Sequence, residues 1–184
     1  MRNIILIGMP GAGKSTVGVV LAKKLGMRFT DSDLVIQETY GMLLQELIGI
    51  HGIEGFWKLE DQVNASLRCG KTVIATGGSA VYGKAAMEHF KTMGLVVYLK
   101  LPYGEIKERL GDLNARGVTI RPGQTLQQLY EEREPLYAKY ADLTVECSGK
   151  CLREIVEEIA GQTEKTEITV REIGKAEERK QGQE

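Results

Sequence analysis

Cysteine is scarce in this chain of 184 residues, and long apolar runs are missing altogether. Cys69, Cys147 and Cys151 are too few, and odd in number, for a disulfide scaffold, so a reducing, cytoplasmic setting is expected. Cys147 and Cys151 have the look of half a metal site, but no second Cys or His pair completes it, and idle thiols are expected instead. No apolar stretch approaches the length that spans a bilayer, and Met1-Arg2-Asn3 leads straight into the first apolar run. Neither a membrane partner nor a secretory leader is therefore expected. An excess of charge is lacking as well: 24 Lys and Arg against 25 Asp and Glu leave a formal net charge of -1, without the basic field that a nucleic-acid partner requires. What remains is an ordinary globular composition, 42% hydrophobic and 27% charged, at a length suited to one domain with a real core.

The stretch around which the chain is organised is Gly8-Met9-Pro10-Gly11-Ala12-Gly13-Lys14-Ser15. It follows the apolar run Ile4–Ile7 and opens the amphipathic run Lys14–Leu25, which is the strand, glycine loop and helix that G-x-x-x-x-G-K-[ST] needs in order to hold phosphates. Glycines let successive backbone N–H groups curl around a polyphosphate, and the helix N-terminus adds positive potential. Gly11, Ala12, Gly13 and Thr16 are thus expected on the phosphates, Lys14 on the outer ones, and the Ser15 hydroxyl on Mg²⁺.

Apolar runs alternate with helical periodicity along the rest of the chain. Strands are expected at Ile4–Ile7, Arg28–Thr30, Thr72–Ala75, Leu95–Leu99 and Leu143–Glu146. Helices are expected at Lys14–Leu25, through Leu34–Leu67 with breaks near Gly41 and Gly49–Gly52, around Lys84–Met93, and at Glu105–Leu110, Leu126–Tyr140 and Leu152–Ile159. Short apolar strands alternating with helices imply an α/β fold, a parallel sheet covered on both faces, with ligands at the carboxyl edge of the strands. A single domain over 1–161 is expected, followed by a solvated, charged tail at 162–184 in which Thr166–Ile173 alternates weakly.

Further candidate residues fall on the same edge. Asp31 and Asp33 close the second strand two positions apart, where both carboxylates can face one pocket and divide two tasks, an outer ligand of Mg²⁺ and an acceptor for a hydroxyl proton; capping the next helix is the plainer role. Gly77-Gly78 ends the third strand and either lets a substrate approach the backbone or simply turns the chain. Arg116 and Arg121 lie in the glycine-flanked segment 111–124, which reads as a lid over the γ-phosphate or as a surface loop. Arg133, within Glu132-Arg133-Glu134-Pro135-Leu136-Tyr137, can fork onto a carboxylate or pair with a helix neighbour.

Taken in order, Gly8–Ser15, Thr30–Asp33, Phe56 with Glu60, Gly77-Gly78, Ile120-Arg121-Pro122 and Arg133–Tyr137 resemble the shikimate kinases, phosphate-loop enzymes of the nucleoside monophosphate kinase group, from about Asn3 to Ile159. The resemblance implies a three-layer P-loop fold with a five-stranded parallel sheet in the order 2-3-1-4-5, a lid, and an acceptor-binding helical region here at about 34–69. It implies transfer of the γ-phosphoryl of ATP to the 3-hydroxyl of shikimate, with Mg²⁺, in the pathway to aromatic amino acids. By position, Asp31 resembles the family's water-mediated metal residue, Asp33 the one that holds the acceptor hydroxyl, Arg109 an arginine beside the adenine, Arg121 the lid arginine and Arg133 one of two arginines on the substrate carboxylate.

The second carboxylate arginine has no counterpart. Trp57 stands in its place after Phe56, and Lys58 lies about 100° further round a helix and offers a point charge rather than a fork. Losing a charge-assisted bond in a buried site costs on the order of 1.5–3 kcal/mol. Ser79 also replaces the third glycine of the family's triplet, and Gly123 stands where leucine is usual. The expected activity is therefore an ATP-dependent phosphotransferase acting as a monomer on a small hydroxy acid, shikimate above all. A different acceptor, or an ATP-binding module without transfer, are the alternatives. A GTP switch is disfavoured because neither N-K-x-D nor D-x-x-G occurs.

Overall fold

A computed structural model describes residues 2–111 and 118–163. The expected sheet is present, with five strands in the order β2-β3-β1-β4-β5, all parallel. The strands are β1 (Asn3–Ile7), β2 (Arg28–Asp31), β3 (Thr72–Ala75), β4 (Gly94–Lys100) and β5 (Leu143–Glu146). The apolar run of β1 occupies the middle because it is buried on both faces: Ile4, Ile5, Leu6 and Ile7 are each 0% exposed. β2 is an edge strand and only partly buried. Its register, Asp31 beside Ala75, brings the end of β2 level with the start of the Gly77-Gly78 segment.

The helices are α1 (Lys14–Leu25), α2 (Ser32–Tyr40), α3 (Leu44–Ser66), α4 (Lys84–Met93), α5 (Tyr103–Leu110), α6 (Leu126–Tyr140) and α7, which covers 152–163. α7 thus runs beyond the boundary expected at 161, while the tail from 164 onward, including Thr166–Ile173, lies outside the described residues. So do residues 112–117, and with them Arg116. The helical region after β2 breaks at Gly41, which takes a left-handed conformation (φ 64°). The expected second interruption is a single kink at Gly52, with Gly49 remaining helical.

Two apolar clusters result. The main one lies on both faces of the sheet, and a second one, Ile36, Leu47, Phe56 and Val63, joins α2 to α3. The Asp61 carboxylate of α3 accepts the Ala86 N–H in the first turn of α4 at 2.7 Å, which satisfies a donor that no intrahelical carbonyl reaches and ties α3 beside the sheet. Among the described residues no helix is long and apolar enough to cross a membrane, and Cys69, Cys147 and Cys151 are free thiols.

Candidate active site

The chain passes from β3 to β4 across β1, so the crevice beyond the carboxyl ends of these strands is where a parallel sheet accepts ligands. The glycine loop fills one side of it. Gly13 caps α1 at φ 90°, a left-handed conformation that a side chain would disfavour, and α1 has neither a side-chain cap nor an acidic residue in its first turn. Its first amides are left for an anion. Lys14 is buried and its Nζ donates to the carbonyls of Gly8 (2.8 Å) and Met9 (2.9 Å), bracing the loop from inside. Burial pulls its pKa down to about 8, against the pull of Asp33, Asp31 and Glu60. Arg109 sits next to the loop, its Cβ 3.7 Å from where a Cβ on Gly11 would be, with its exposed guanidinium 3.6 Å from Glu105.

Asp31 does two things at once. Oδ1 caps α2 by accepting the Asp33 N–H at 3.0 Å, and Oδ2 accepts from the Ser15 hydroxyl at 2.7 Å. Capping and the tie to Ser15 thus coexist. Ser15 with one outer carboxylate suits Mg²⁺, which keeps several waters and leans on phosphate oxygens. No cluster of three acidic, His or Cys side chains able to cage a metal occurs among the described residues.

Beside the loop a small, partly open cavity is lined by Asp33, Gly77, Gly78, Ser79, Arg133, Thr119 and the apolar side chains of Pro10, Leu44, Ile48, Phe56 and Val118. Gly77 is glycine for a specific reason: a Cβ there would stand 2.7 Å from Asp33 Oδ1 and closer still to Glu60 Oε1. The two carboxylates are therefore no more than about two hydrogen-bond lengths apart. Burial, then the negative Asp31, push the Asp33 carboxyl up to about 6. Tyr137 anchors the far side by donating to the Gly78 carbonyl at 2.6 Å.

Arg133, on α6, is fully buried and forms no ion pair among the described residues. Its Nη2 donates to the Thr119 carbonyl and hydroxyl, each at 2.9 Å, and its Nε to the Tyr82 hydroxyl at 3.2 Å. Its Nη1 is buried without a partner among the described residues. Arg133 lines the cavity and is held by three hydrogen bonds, an arrangement that can receive an anion.

Glu60 is 1% exposed, and neither oxygen has a hydrogen-bond partner among the described residues. Burial raises its carboxyl to about 7; the Ser79 hydroxyl opposes the rise without reaching hydrogen-bond geometry, Asp33 adds to it, and Arg133 and Lys14 hold it back. The folded state therefore binds this proton more readily than the unfolded chain, and stability is lost as pH rises from about 4.5 through about 7. Glu60→Gln is expected to stabilise the protein above pH 7 by on the order of 2 kcal/mol, with the gain shrinking toward pH 5. Denaturant unfolding at both pH values measures it, and a gain independent of pH would count against Glu60 as the source.

The structure thus gathers Lys14, Ser15, Asp31, Asp33, Gly77, Gly78 and Arg133 on one edge. It places three candidates differently. Trp57 does not line the cavity; its ring stacks on Tyr82 with centroids 4.3 Å apart. Lys58 is exposed to solvent and supplies no second cation to the cavity. Arg121 Nη1 is bound to both carboxylate oxygens of Glu132, at 3.0 and 3.1 Å, rather than extended over the glycine loop. Tyr82, Thr119 and Glu132 are site residues that the sequence did not single out, since no motif or periodicity marks them.

A family model described as shikimate kinase matches residues 10–164 of this chain. A shikimate kinase of Thiobacillus denitrificans is 40% identical over 147 residues, covering 78% of this chain and 80% of that protein. Another, of Francisella tularensis subsp. novicida, is 39% identical over 165 residues, covering 86% of this chain and 93% of its own. Among solved structures, the shikimate kinase of Acinetobacter baumannii in complex with shikimate superposes with a TM-score of 0.77 at 34% identity, over 87% of this chain and 91% of that one.

Proposed function

The chain belongs to the shikimate kinase family, an ATP-dependent phosphotransferase by that membership, and we propose that it joins ATP to shikimate across the two half-sites described above. The observation that carries the acceptor assignment is the fully buried Arg133, with no carboxylate partner among the described residues, on the same cavity as Asp33. A small hydroxy acid offers both groups this pair needs, a carboxylate for Arg133 and a hydroxyl for Asp33. We assign 34–69 to acceptor binding and 111–124 to the cover of the site, of which 111 and 118–124 are described.

In this reaction Gly11, Ala12, Gly13 and Thr16 present backbone and side-chain donors to the phosphates of ATP, and Arg109 flanks its base. Lys14 balances the charge that develops on the transferring phosphoryl oxygens. Ser15, with Asp31 behind it, would hold Mg²⁺, which when bound shields the phosphate charge from the incoming oxygen. Gly77 and Gly78 let the acceptor lie against the backbone. Arg133 fixes the acceptor's carboxylate end, so that its hydroxyl stands at Asp33. Asp33 takes the hydroxyl proton as that oxygen bonds to the γ-phosphorus and the bond to ADP breaks. Arg121 serves the phosphates only when its guanidinium leaves Glu132, so its pairing there is the resting arrangement. One chain furnishes every residue named, which supports action as a monomer, and the three free thiols fit a reducing cytoplasm.

An ADP-release assay with MgATP and a panel of shikimate, sugars and homoserine tests the assignment. Turnover is expected on shikimate. Turnover on another acceptor but not on shikimate would overturn the acceptor, and ATP binding without any turnover would overturn transfer itself.

A further inference from the structure

Trp57 takes the position at which the family places a second carboxylate arginine, yet it stands behind the cavity wall rather than on it. What it touches is informative. Its ring stacks on Tyr82 at 4.3 Å, and its Nε1–H points at the Thr119 hydroxyl at 3.4 Å, a long contact. Tyr82 and Thr119 accept the hydrogen bonds of Arg133 Nε and Nη2: Nε to the Tyr82 hydroxyl, Nη2 to the Thr119 carbonyl and hydroxyl. The Arg133 guanidinium itself lies 5.1 Å from the centre of the Tyr82 ring. The Tyr82 hydroxyl is fixed in turn by donating to Glu132 at 2.8 Å, on the carboxylate that also binds Arg121. The Arg121 guanidinium lies over the indole at 4.8 Å.

We propose that Trp57 is a positioning residue for the acceptor carboxylate, acting through Tyr82 and Thr119 to hold Arg133 on the cavity wall. The chain uses this position to immobilise the remaining arginine instead of adding another. A guanidinium free to swing loses rotamer entropy when it binds a carboxylate; one already braced on three acceptors loses little. The stacked ring carries most of the effect, because a flat aromatic face fixes the Tyr82 ring while the 3.4 Å contact to Thr119 is weak. The inference rests on the assignment of the cavity to the acceptor.

The test is steady-state kinetics with MgATP and shikimate for Trp57→Leu, Trp57→Phe, Thr119→Val and the Trp57→Leu/Thr119→Val double variant. Trp57→Leu is expected to raise KM for shikimate about tenfold while kcat and KM for ATP stay within about threefold. Trp57→Phe, which keeps an aromatic face for Tyr82, is expected to restore KM to within about threefold of the parent. The double variant is expected to fall well short of the product of the two single effects, because both act on the same guanidinium. An unchanged shikimate KM in Trp57→Leu, an equal loss on the ATP side, a Phe variant as impaired as Leu, or multiplicative single effects would each overturn the proposal. Should Trp57→Leu not fold, Trp57→Met decides: a selective rise in shikimate KM supports positioning through Tyr82, and none overturns it. Failure of the parent enzyme to turn over shikimate is a different result, which removes the acceptor assignment rather than the role of Trp57.

Discussion

Lys14→Met is expected to lower kcat by about three orders of magnitude or more, the scale seen when a cation serving the transferring phosphoryl group is withdrawn. The size follows from where the ammonium sits. It is buried, with its pKa near 8, so at pH 7 it is still charged in a place where water screens little. Methionine keeps the length and the apolar stem but leaves the Gly8 and Met9 carbonyls without their donor, so the loop loosens as well. Arginine is not expected to rescue the variant, because its planar fork cannot replace a compact ammonium between two backbone carbonyls. Removing this positive charge also takes from Asp33 a neighbour that favours its ionised form, so the acid limb of any residual activity is expected to move to higher pH. Activity within tenfold of the parent, measured by ADP release in a variant shown folded by its unfolding midpoint, would remove Lys14 from the mechanism.

The parts of the molecule that were legible beforehand are those written in local pattern. A doubly buried run such as Ile4–Ile7 has no other home than the centre of a parallel sheet, and the glycine loop that follows it carries its own geometry. Asp31 and Asp33 were legible as a pair, though the structure adds that capping α2 and holding Ser15 are the same carboxylate's work. What local pattern does not contain is contact between distant segments. Arg133 reaches Tyr82, 51 positions away, and Thr119, 14 away, and neither partner carries a motif. Trp57 meets Thr119 across 62 positions, so a side chain expected on the acceptor turned out to stand behind it. Glu60 was visible as part of a family resemblance. Its isolation was not, since it depends on Gly77 coming in beside it from β3. The second break, expected near Gly49–Gly52, falls at Gly52 alone, with α3 packing on α2 through Leu47 and Phe56 on either side of it.

Asp33→Asn carries the second large effect, an expected loss of about 10²- to 10⁴-fold in kcat with ATP affinity nearly unchanged. Asparagine preserves size and a hydrogen bond to the acceptor hydroxyl, but it cannot take the proton, so binding is spared while the chemical step is not. The pH dependence separates this from a loss of alignment. On the proposed role Asp33 acts in its ionised form, and its carboxyl is raised to about 6 by burial and by Asp31. Activity should therefore fall as pH drops through about 6, roughly tenfold per unit once well below it. In Asp33→Asn that limb should vanish, leaving a low and flatter profile. Glu60 complicates the upper part of the limb in a predictable way. It lies within about two hydrogen-bond lengths of Asp33, and like charges so close resist joint ionisation, so the pair titrates with apparent values that belong to both. Where the acid limb falls, near 6, Glu60 still holds its proton, its carboxyl being raised to about 7, so the neutral Glu60→Gln is expected to leave the acid limb of kcat near 6 and to remove only a change near 7. A limb that moves by a unit or more in Glu60→Gln would mean that Glu60 ionises first, and a limb that persists in Asp33→Asn would assign the catalytic proton to another group.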